Sequence, residues 1–190
     1  MAEIAGKFNQ KLINGVKTMS TFKEYTVRVY VDGGKIWLLN GKLHREDGPA
    51  VEQANGTKEW YLNCERHRVD GPAIEHADGS KSWRLNGKLH REDGPAVEYA
   101  DGHKEWYLND ELHREDGPAI EHADGSKSWW LNGKRHRIDG PAIERPDGSK
   151  EWWLNGRRLT ESEFNSRTQV KELSVQELQE LLGYKIKIVE

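Results

Sequence analysis

The residues best suited to chemistry belong to a short motif, His-Arg-x-Asp, that occurs five times at a constant interval of 23 residues. Histidine titrates near neutral pH, and arginine presents a planar fork to carboxylates and phosphates, so the motif could serve acid–base chemistry or phosphate capture. Repetition favours a structural role, because a catalytic site needs only one copy of its groups. The five copies begin at His44, His67, His90, His113 and His136.

Each part of the motif has a structural role in the fold that the sequence predicts. The histidine falls opposite a tryptophan, the arginine can reach a glutamate, and the aspartate begins a turn. The Gly-rich loop, lysine strand and Asp-Phe-Gly of protein kinases are missing, as are other nucleotide-binding and hydrolase fingerprints. We therefore predict no catalytic residue and no cofactor. The glutamates within reach are Glu52, Glu75, Glu98, Glu121 and Glu144.

The spacing of the histidines also argues against a metal site. Motif histidines of neighbouring units are separated by about 14 Å if three strands roughly 4.8 Å apart lie between them, which is too far for shared coordination. His76 and His122 lie outside the motif, but they are 46 residues apart and have no neighbouring cysteine. The sequence predicts no metal ligand.

A tryptophan recurs with the same period and marks six units. A fixed period of this length is typical of supersecondary units that cannot bury their apolar faces alone and stack on their neighbours. We predict a six-unit β-hairpin array over residues 22–156. The marker residues are Trp37, Trp60, Trp83, Trp106, Trp129 and Trp152.

Turn signals divide each unit into short antiparallel strands. Asp-Gly and Asn-Gly pairs are preferred in two-residue hairpin turns, and an Asp-Gly-Pro segment ends each of the first five units. If each such pair is a two-residue turn, Val51 faces Trp60 and Trp60 faces His67, which makes the tryptophan face the predicted core. The expected fold is mainly β: an elongated, twisted antiparallel β-hairpin repeat array with short helical caps. A β-solenoid with one coil per unit is the alternative.

The two ends of the chain depart from the repeat. Residues 1–21 place apolar residues from Ile4 to Val16 at helical spacing, which predicts an N-terminal helical cap or extension. Residues 157–190 predict a C-terminal helical cap with a terminal strand. Thr160 with Glu163, and Ser174 with Glu177, have capping-box spacing, and residues 184–190 alternate as a strand does.

Composition argues against several classes of protein. The 190 residues carry a formal net charge of −3, so no global basic field indicates nucleic acid. The sequence has no apolar run near the roughly 18 residues of a membrane span, and its single Cys64 cannot form an internal disulfide. These features favour a reducing, intracellular compartment.

The residue that follows each tryptophan varies between units and points to the opposite face from the predicted core. Large aromatic and cationic side chains of this kind are typical of binding hot spots. They could equally cover the second face of the sheet, and both interpretations stay open. Beside them glutamate alternates with serine from Glu59 to Glu151, which suggests a repeating pair of 46 residues. The predicted partner surface, termed the variable row, is Tyr61, Arg84, Tyr107, Trp130 and Trp153.

Residues 85–109, LNGKLHREDGPAVEYADGHKEWYLN, resemble the hairpin repeats of tailed-bacteriophage accessory proteins, which are grouped with variant MORN repeats (NGKxHRxDGPA). The resemblance covers residues 37–156, and the ending LSVQELQELLGYKIKIVE is similar to C-terminal segments of such phage proteins. It implies a hairpin-repeat fold and interaction with the host rather than metabolism. The Tyr-x-Gly and Gly-x-Gly pattern of ordinary MORN repeats is missing, so their phospholipid binding is not carried over.

The leading hypothesis is a non-catalytic phage protein that engages or inhibits a bacterial host protein in the cytoplasm of the infected cell. An immune, anti-phage defence component is the expected class of target. A repeated scaffold with variable side chains offers a wide surface at little ordering cost. One alternative is nucleotide or oligonucleotide capture by stacking on the variable row, which the near-neutral charge disfavours. The other is a structural or assembly module, with homo-oligomerisation as its signature.

Overall fold

The computed structural model describes residues 2–7, 23–168 and 175–183. In these residues the fold is mainly β, with short antiparallel strands that follow the 23-residue period and two short helices after them. We name each unit by its tryptophan. The strands are β1 Ala2–Lys7, β2 Glu24–Val29, β3 Lys35–Leu39, β4 Lys42–Leu43, β5 Val51–Glu52, β6 Lys58–Glu59, β7 Tyr61–Leu62, β8 Glu65–Arg66, β9 Ile74–Glu75, β10 Lys81–Ser82, β11 Arg84–Leu85, β12 Lys88–Leu89, β13 Val97–Glu98, β14 Lys104–Glu105, β15 Tyr107–Leu108, β16 Glu111–Leu112, β17 Ile120–Glu121, β18 Lys127–Ser128, β19 Trp130–Leu131, β20 Lys134–Arg135, β21 Ile143–Glu144, β22 Lys150–Leu154 and β23 Arg157–Leu159, and the helices are α1 Glu161–Thr168 and α2 Val175–Leu182.

Two strands of each internal unit join one continuous antiparallel sheet, the main sheet. In the Trp60 unit β5 pairs with β6, and β6 pairs in turn with β9 of the next unit. The same alternation continues to β23. Because neighbouring units pair directly, each unit is stabilised by the next one. The predicted mainly β hairpin array is confirmed, and the strand pairs of the described residues are antiparallel, unlike the stacked coils of a β-solenoid.

The other two strands of each internal unit form a small separate hairpin, and the tryptophan main chain joins that hairpin to the main sheet. Trp60 lies between β6 and β7, where its N–H donates to the Ala73 carbonyl at 2.8 Å and its carbonyl accepts from the His67 N–H at 3.0 Å. Successive hairpins are linked by bonds such as Gly87 N–H to the Arg66 carbonyl, at 2.9 Å. The array therefore consists of a main sheet and a row of small hairpins beside it.

The turn inside each small hairpin has the predicted geometry. Asn63 and Cys64 form a two-residue turn with φ of 52° and 69°, and Leu62 pairs with Glu65. Positive φ at both central residues is the signature of a type I′ turn, whose twist matches that of the flanking strands. The predicted pairing of Trp60 with His67 follows from this turn and is confirmed by the bond between their main chains.

The turn inside the main sheet is longer than predicted. Gln53 N–H donates to the Thr57 carbonyl at 2.8 Å, so three residues rather than two form the loop. Only the last of them, Gly56, has a positive φ, at 94°, and the Thr57 N–H donates to the Asn55 side chain at 2.9 Å. A three-residue loop that ends in a left-handed glycine adds a bulge to the hairpin.

This extra residue overturns the predicted face of the core. Val51 pairs with Glu59 instead of Trp60, and a slip of one residue moves a strand's side chains to the opposite face. Valine and isoleucine therefore share a face with Glu59 and the variable row, and the tryptophan rings are half-buried on the other. Among the described residues, the completely buried positions are the alanines that follow the proline of each Asp-Gly-Pro segment, Ala50, Ala73, Ala96, Ala119 and Ala142, each 0% exposed.

The N-terminal end differs from the prediction where it is described. Residues 2–7 form β1, which pairs antiparallel with β2, so the helix predicted for residues 1–21 is wrong over this stretch. Without β1, β2 would leave an edge of unpaired N–H and carbonyl groups, and a strand satisfies such an edge where a helix cannot. Residues 8–22, which carry the rest of the predicted helix, lie outside the described residues.

The C-terminal end begins as predicted with a capped helix. Thr160 N–H donates to Glu163 Oε2 at 2.8 Å, and Glu163 N–H donates to Thr160 Oγ1 at 3.2 Å, which is a reciprocal capping box. Helix α1 packs on β22 and β23 and buries Phe164. Helix α2 ends before Gly183, whose φ is 71°. The Ser174 cap and the strand predicted over residues 184–190 lie outside the described residues.

Candidate functional site

The arginine of each motif stacks on the tryptophan of its own unit. The Arg91 guanidinium carbon lies 4.0 Å from the Trp83 ring centroid. Arg91 Nε donates to Asp93 at 2.9 Å, and Nη1 donates to the Pro95 carbonyl and to Glu98, each at 3.2 Å. The predicted reach from arginine to glutamate is confirmed. The same stacking occurs at Arg45–Trp37, Arg68–Trp60, Arg114–Trp106 and Arg137–Trp129.

A glycine closes the other side of this guanidinium. A Cβ atom added at Gly94 would lie 2.9 Å from the Arg91 guanidinium carbon, closer than such atoms approach without a shift. The guanidinium is therefore held between an indole ring and a glycine main chain, which explains why glycine follows the motif aspartate. The Arg91 hydrogen bond also lowers the pKa of Asp93 below its usual value.

The motif histidine connects adjacent units through its ring. His67 Nδ1 accepts a hydrogen bond from the Asn86 main-chain N–H at 3.1 Å, and it lies 2.9 Å from the side-chain Oδ1 of the same asparagine. Asn86 is the first turn residue of the following hairpin, so this contact helps to fix that turn. Histidine, arginine and aspartate thus all make internal contacts, as their structural interpretation requires.

The variable row lies beside the main sheet and is half-buried throughout. At its start, the Tyr61 hydroxyl donates to Glu59 Oε2, and Arg66 Nε donates to the same oxygen, both at 2.9 Å. Glu59 is itself buried. Gln53 Nε2 donates to Glu59 Oε1 at 3.0 Å, so burial of this carboxylate is balanced by three donors, one of them charged. The row is therefore bonded to the glutamate–serine positions noted in the sequence.

The end of the row forms an aromatic and cationic stack. Trp130 Nε1 donates to Ser128 Oγ at 2.6 Å, and Trp153 Nε1 donates to Glu151 at 3.2 Å. The Arg135 guanidinium carbon lies 4.9 Å from the Trp130 ring and 5.1 Å from the Trp153 ring. One cation thus interacts with two indoles, an arrangement strengthened by exclusion of water.

In the middle of the row, burial shifts the pKa values of two side chains. Burial lowers the pKa of Arg84, with a further contribution from the nearby positive charge of Arg66. Burial also raises the pKa of Tyr107 to about 12, and the Glu105 carboxylate acts in the same direction. Tyr107 is consequently a neutral hydroxyl at physiological pH. The row is bonded to main-sheet residues Glu59, Ser128 and Glu151, and its role as a partner surface stays a prediction.

One histidine escaped the sequence interpretation. His103 Nδ1 lies 3.1 Å from His122 Nδ1, the two ring centroids are 4.4 Å apart, and His103 Nε2 lies 3.0 Å from Glu105 Oε1. An alignment of the units could have revealed this histidine, because His103 lies at a position (a column of the alignment) where four other units have a hydroxyl residue. The other members of that column are Thr57, Ser80, Ser126 and Ser149.

These features define a β-hairpin repeat protein whose recurring polar residues form an internal frame. Comparison of the chain with protein-family models and with curated proteins gave no match. Among the described residues, no group of three or more His, Cys, Asp or Glu side chains is arranged to hold a metal ion. No helix in the described ranges is long and apolar enough to cross a membrane.

Proposed function

We propose that this chain is a non-catalytic binding protein, encoded by a bacteriophage, that engages a host protein of the infected bacterium. A component of anti-phage immunity is the proposed class of target. One observation supports the binding role above the others: the recurring histidines, arginines and aspartates contact each other, the tryptophans and the turns. Specificity must then come from positions that differ between units. The phage origin and the host target rest on the resemblance of residues 37–156 to phage hairpin repeats.

Unit-specific side chains also occur at exposed positions. The third motif residue is valine at Val69 and isoleucine at Ile138, which are 83% and 67% exposed, whereas Glu46, Glu92 and Glu115 occupy this position elsewhere. Each unit therefore presents a different surface on the same frame. A rigid frame loses little conformational entropy when it binds, which favours recognition of a folded protein partner.

The contacts of the variable row disfavour the nucleotide alternative. Stacking of a base requires an accessible aromatic face, yet Arg135 already lies against both Trp130 and Trp153. A base would have to displace this guanidinium from two rings. Isothermal calorimetry with linear and cyclic nucleotides should therefore give no saturable heat, whereas saturable binding that Trp130→Ala removes would favour capture of a nucleotide.

An affinity purification tests the proposed function. The full chain, immobilised and exposed to a bacterial lysate, should retain a host protein in a fixed ratio, identified by mass spectrometry. A matched variant makes the variable row uniform with Tyr61 and Tyr107 by Arg84→Tyr, Trp130→Tyr and Trp153→Tyr. It should retain at least tenfold less of that protein. Equal retention would remove the row from the interface, and the absence of any partner in lysates of susceptible bacteria would contradict the binding role.

A further inference from the structure

The pair formed by His103 and His122 lies at the loop edge of the main sheet, between two units. His103 ends a three-residue loop, where its carbonyl accepts from the Tyr99 N–H at 2.9 Å. In two other units the equivalent hydroxyl joins the next unit: Thr57 Oγ1 accepts from the Ala77 N–H at 3.2 Å, and Ser80 Oγ accepts from the Ala100 N–H at 3.0 Å. At His103 an imidazole replaces that hydroxyl and meets the His122 ring of the next unit.

We propose that His103 and His122 form a two-imidazole site for a divalent transition-metal ion such as Zn²⁺, Ni²⁺ or Cu²⁺. Imidazole nitrogen is a preferred ligand of these ions. With Zn–N distances of about 2.0–2.1 Å, two nitrogens on a tetrahedral ion are about 3.3 Å apart, close to the 3.1 Å between the two Nδ1 atoms. Rotation about the outer side-chain bond is broad for histidine, so the exposed His122 ring can turn toward an ion on His103 Nδ1 without movement of the main chain.

Glu105 prepares His103 for this role. A carboxylate only accepts hydrogen bonds, so His103 Nε2 carries the hydrogen that faces Glu105 Oε1 at 3.0 Å. Nδ1 of a neutral His103 is then an unprotonated acceptor. Metal-binding histidines commonly donate their second ring N–H to a carboxylate, which fixes the tautomer and raises the basicity of the ligand. The edge of the Tyr99 ring, with centroids 4.9 Å apart, further restricts the His103 ring.

The two rings differ in their access to solvent. The side chains of His103 and Glu105 are each 18% exposed, whereas His122 is exposed. Without metal, His122 Nδ1–H donates to His103 Nδ1; with metal, that hydrogen is held on the exposed His122 Nε2 instead. Two protein ligands leave the remaining positions to water, so we expect weaker binding than in a closed structural zinc site.

Loss of one ligand tests the site directly. Zn²⁺ alone would be titrated into the full untagged chain while the imidazole resonances of all eight histidines are followed by NMR. His103 and His122 should shift together, and His103→Ser should raise the Kd for Zn²⁺ at least tenfold. Serine occupies this position in three other units, so the fold should be retained. The matched control is His76→Ser, which removes the histidine equivalent to His122 two units earlier in the chain. It should leave the Kd unchanged.

The chain also permits a gain of function. Thr57, Glu59 and His76 have the same spacing as His103, Glu105 and His122. Because Glu59 already accepts from Gln53, Tyr61 and Arg66, Thr57→His should create a second but weaker Zn²⁺ site. The proposal is overturned if millimolar Zn²⁺ leaves the His103 and His122 resonances unshifted, or if His103→Ser binds Zn²⁺ as tightly as the wild type. The pair would then be an imidazole–imidazole hydrogen bond alone.

Discussion

At the scale of single residues, one interaction unifies the motif. The guanidinium of Arg91 is stacked on Trp83, bonded to Asp93 and Glu98, and packed against Gly94. A cation over an indole contributes about 0.5–2 kcal/mol, more when water is excluded. Because the same set occurs in five units, a modest energy at each becomes a large share of the stability of the array.

Gly94→Ala should destabilise the protein by about 1–3 kcal/mol, because the new methyl group displaces the guanidinium or strains the packing around it. Gly94 does not have a positive φ, so alanine itself is allowed there. In an Arg91→Ala background the same change should be neutral or stabilising by about 0.5 kcal/mol, through reduced entropy of the unfolded chain. Urea unfolding of the four proteins in this cycle measures the coupling. An undiminished penalty in the Arg91→Ala background would show that the guanidinium is not the cause.

At the scale of elements, the small hairpins depend on two successive residues with positive φ. Cys64 and Asp110 occupy the second turn position, each with φ of 69°, where Gly87 and Gly133 occupy it in other units. A left-handed conformation costs a residue other than glycine about 1–2 kcal/mol. These two turns are therefore the strained copies of an otherwise relaxed turn.

Cys64→Gly should stabilise the protein by about 0.5–1 kcal/mol, because relief of the left-handed strain exceeds the added entropy of the unfolded chain. Asp110→Gly should stabilise it less, since Asp110 Oδ1 accepts the Leu89 N–H at 2.7 Å and that bond would be lost. Thermal unfolding under reducing conditions compares the two variants. An equal gain in both would mean that the aspartate bond contributes nothing.

The strand pattern and the small turns follow from local sequence, whereas the face of the core does not. Asn63–Cys64 has the predicted two-residue geometry, because the turn residues of this repeat favour positive φ at both central positions. Asn55–Gly56 looks similar in sequence, yet it forms a three-residue loop, and one extra residue inverts the face of Val51. The His103–His122 contact depends on pairing between units, so only an alignment of the repeats could have indicated it.

At the scale of the whole molecule, lowered acidic pKa values repeat along the array. Hydrogen bonds from the motif arginines lower the pKa values of Asp70, Asp93, Asp116 and Asp139. The folded chain therefore binds protons less readily than the unfolded chain at these sites. Their contribution is complete above the unfolded pKa of about 4 and is lost as pH falls through the lowered values.

The stability that these aspartates contribute should accordingly be level between pH 5 and 7 and fall once the pH drops below about 4. Thermal unfolding across this range measures it, and added salt should reduce the effect, because these carboxylates are exposed. Asp93→Asn should keep the fold and reduce the loss of stability at acid pH by the contribution of this one aspartate. A greater stability at pH 3 than at pH 6 would contradict the assignment of these carboxylates to the frame.

We propose that the recurring residues stabilise the array and that the variable residues recognise the partner, and one comparison separates these two roles. Arg91→Lys keeps the charge but loses the planar fork, so it should lower the unfolding midpoint while leaving the Kd for the recovered host protein near that of the wild type.

The variant with tyrosine at positions 84, 130 and 153 should show the opposite behaviour, with a retained fold and a Kd at least tenfold higher. Biolayer interferometry on the purified partner, paired with thermal unfolding of each chain, provides both readings. If the folded Arg91→Lys protein loses binding while the tyrosine variant binds as the wild type does, recognition resides in the repeated motif rather than in the variable row.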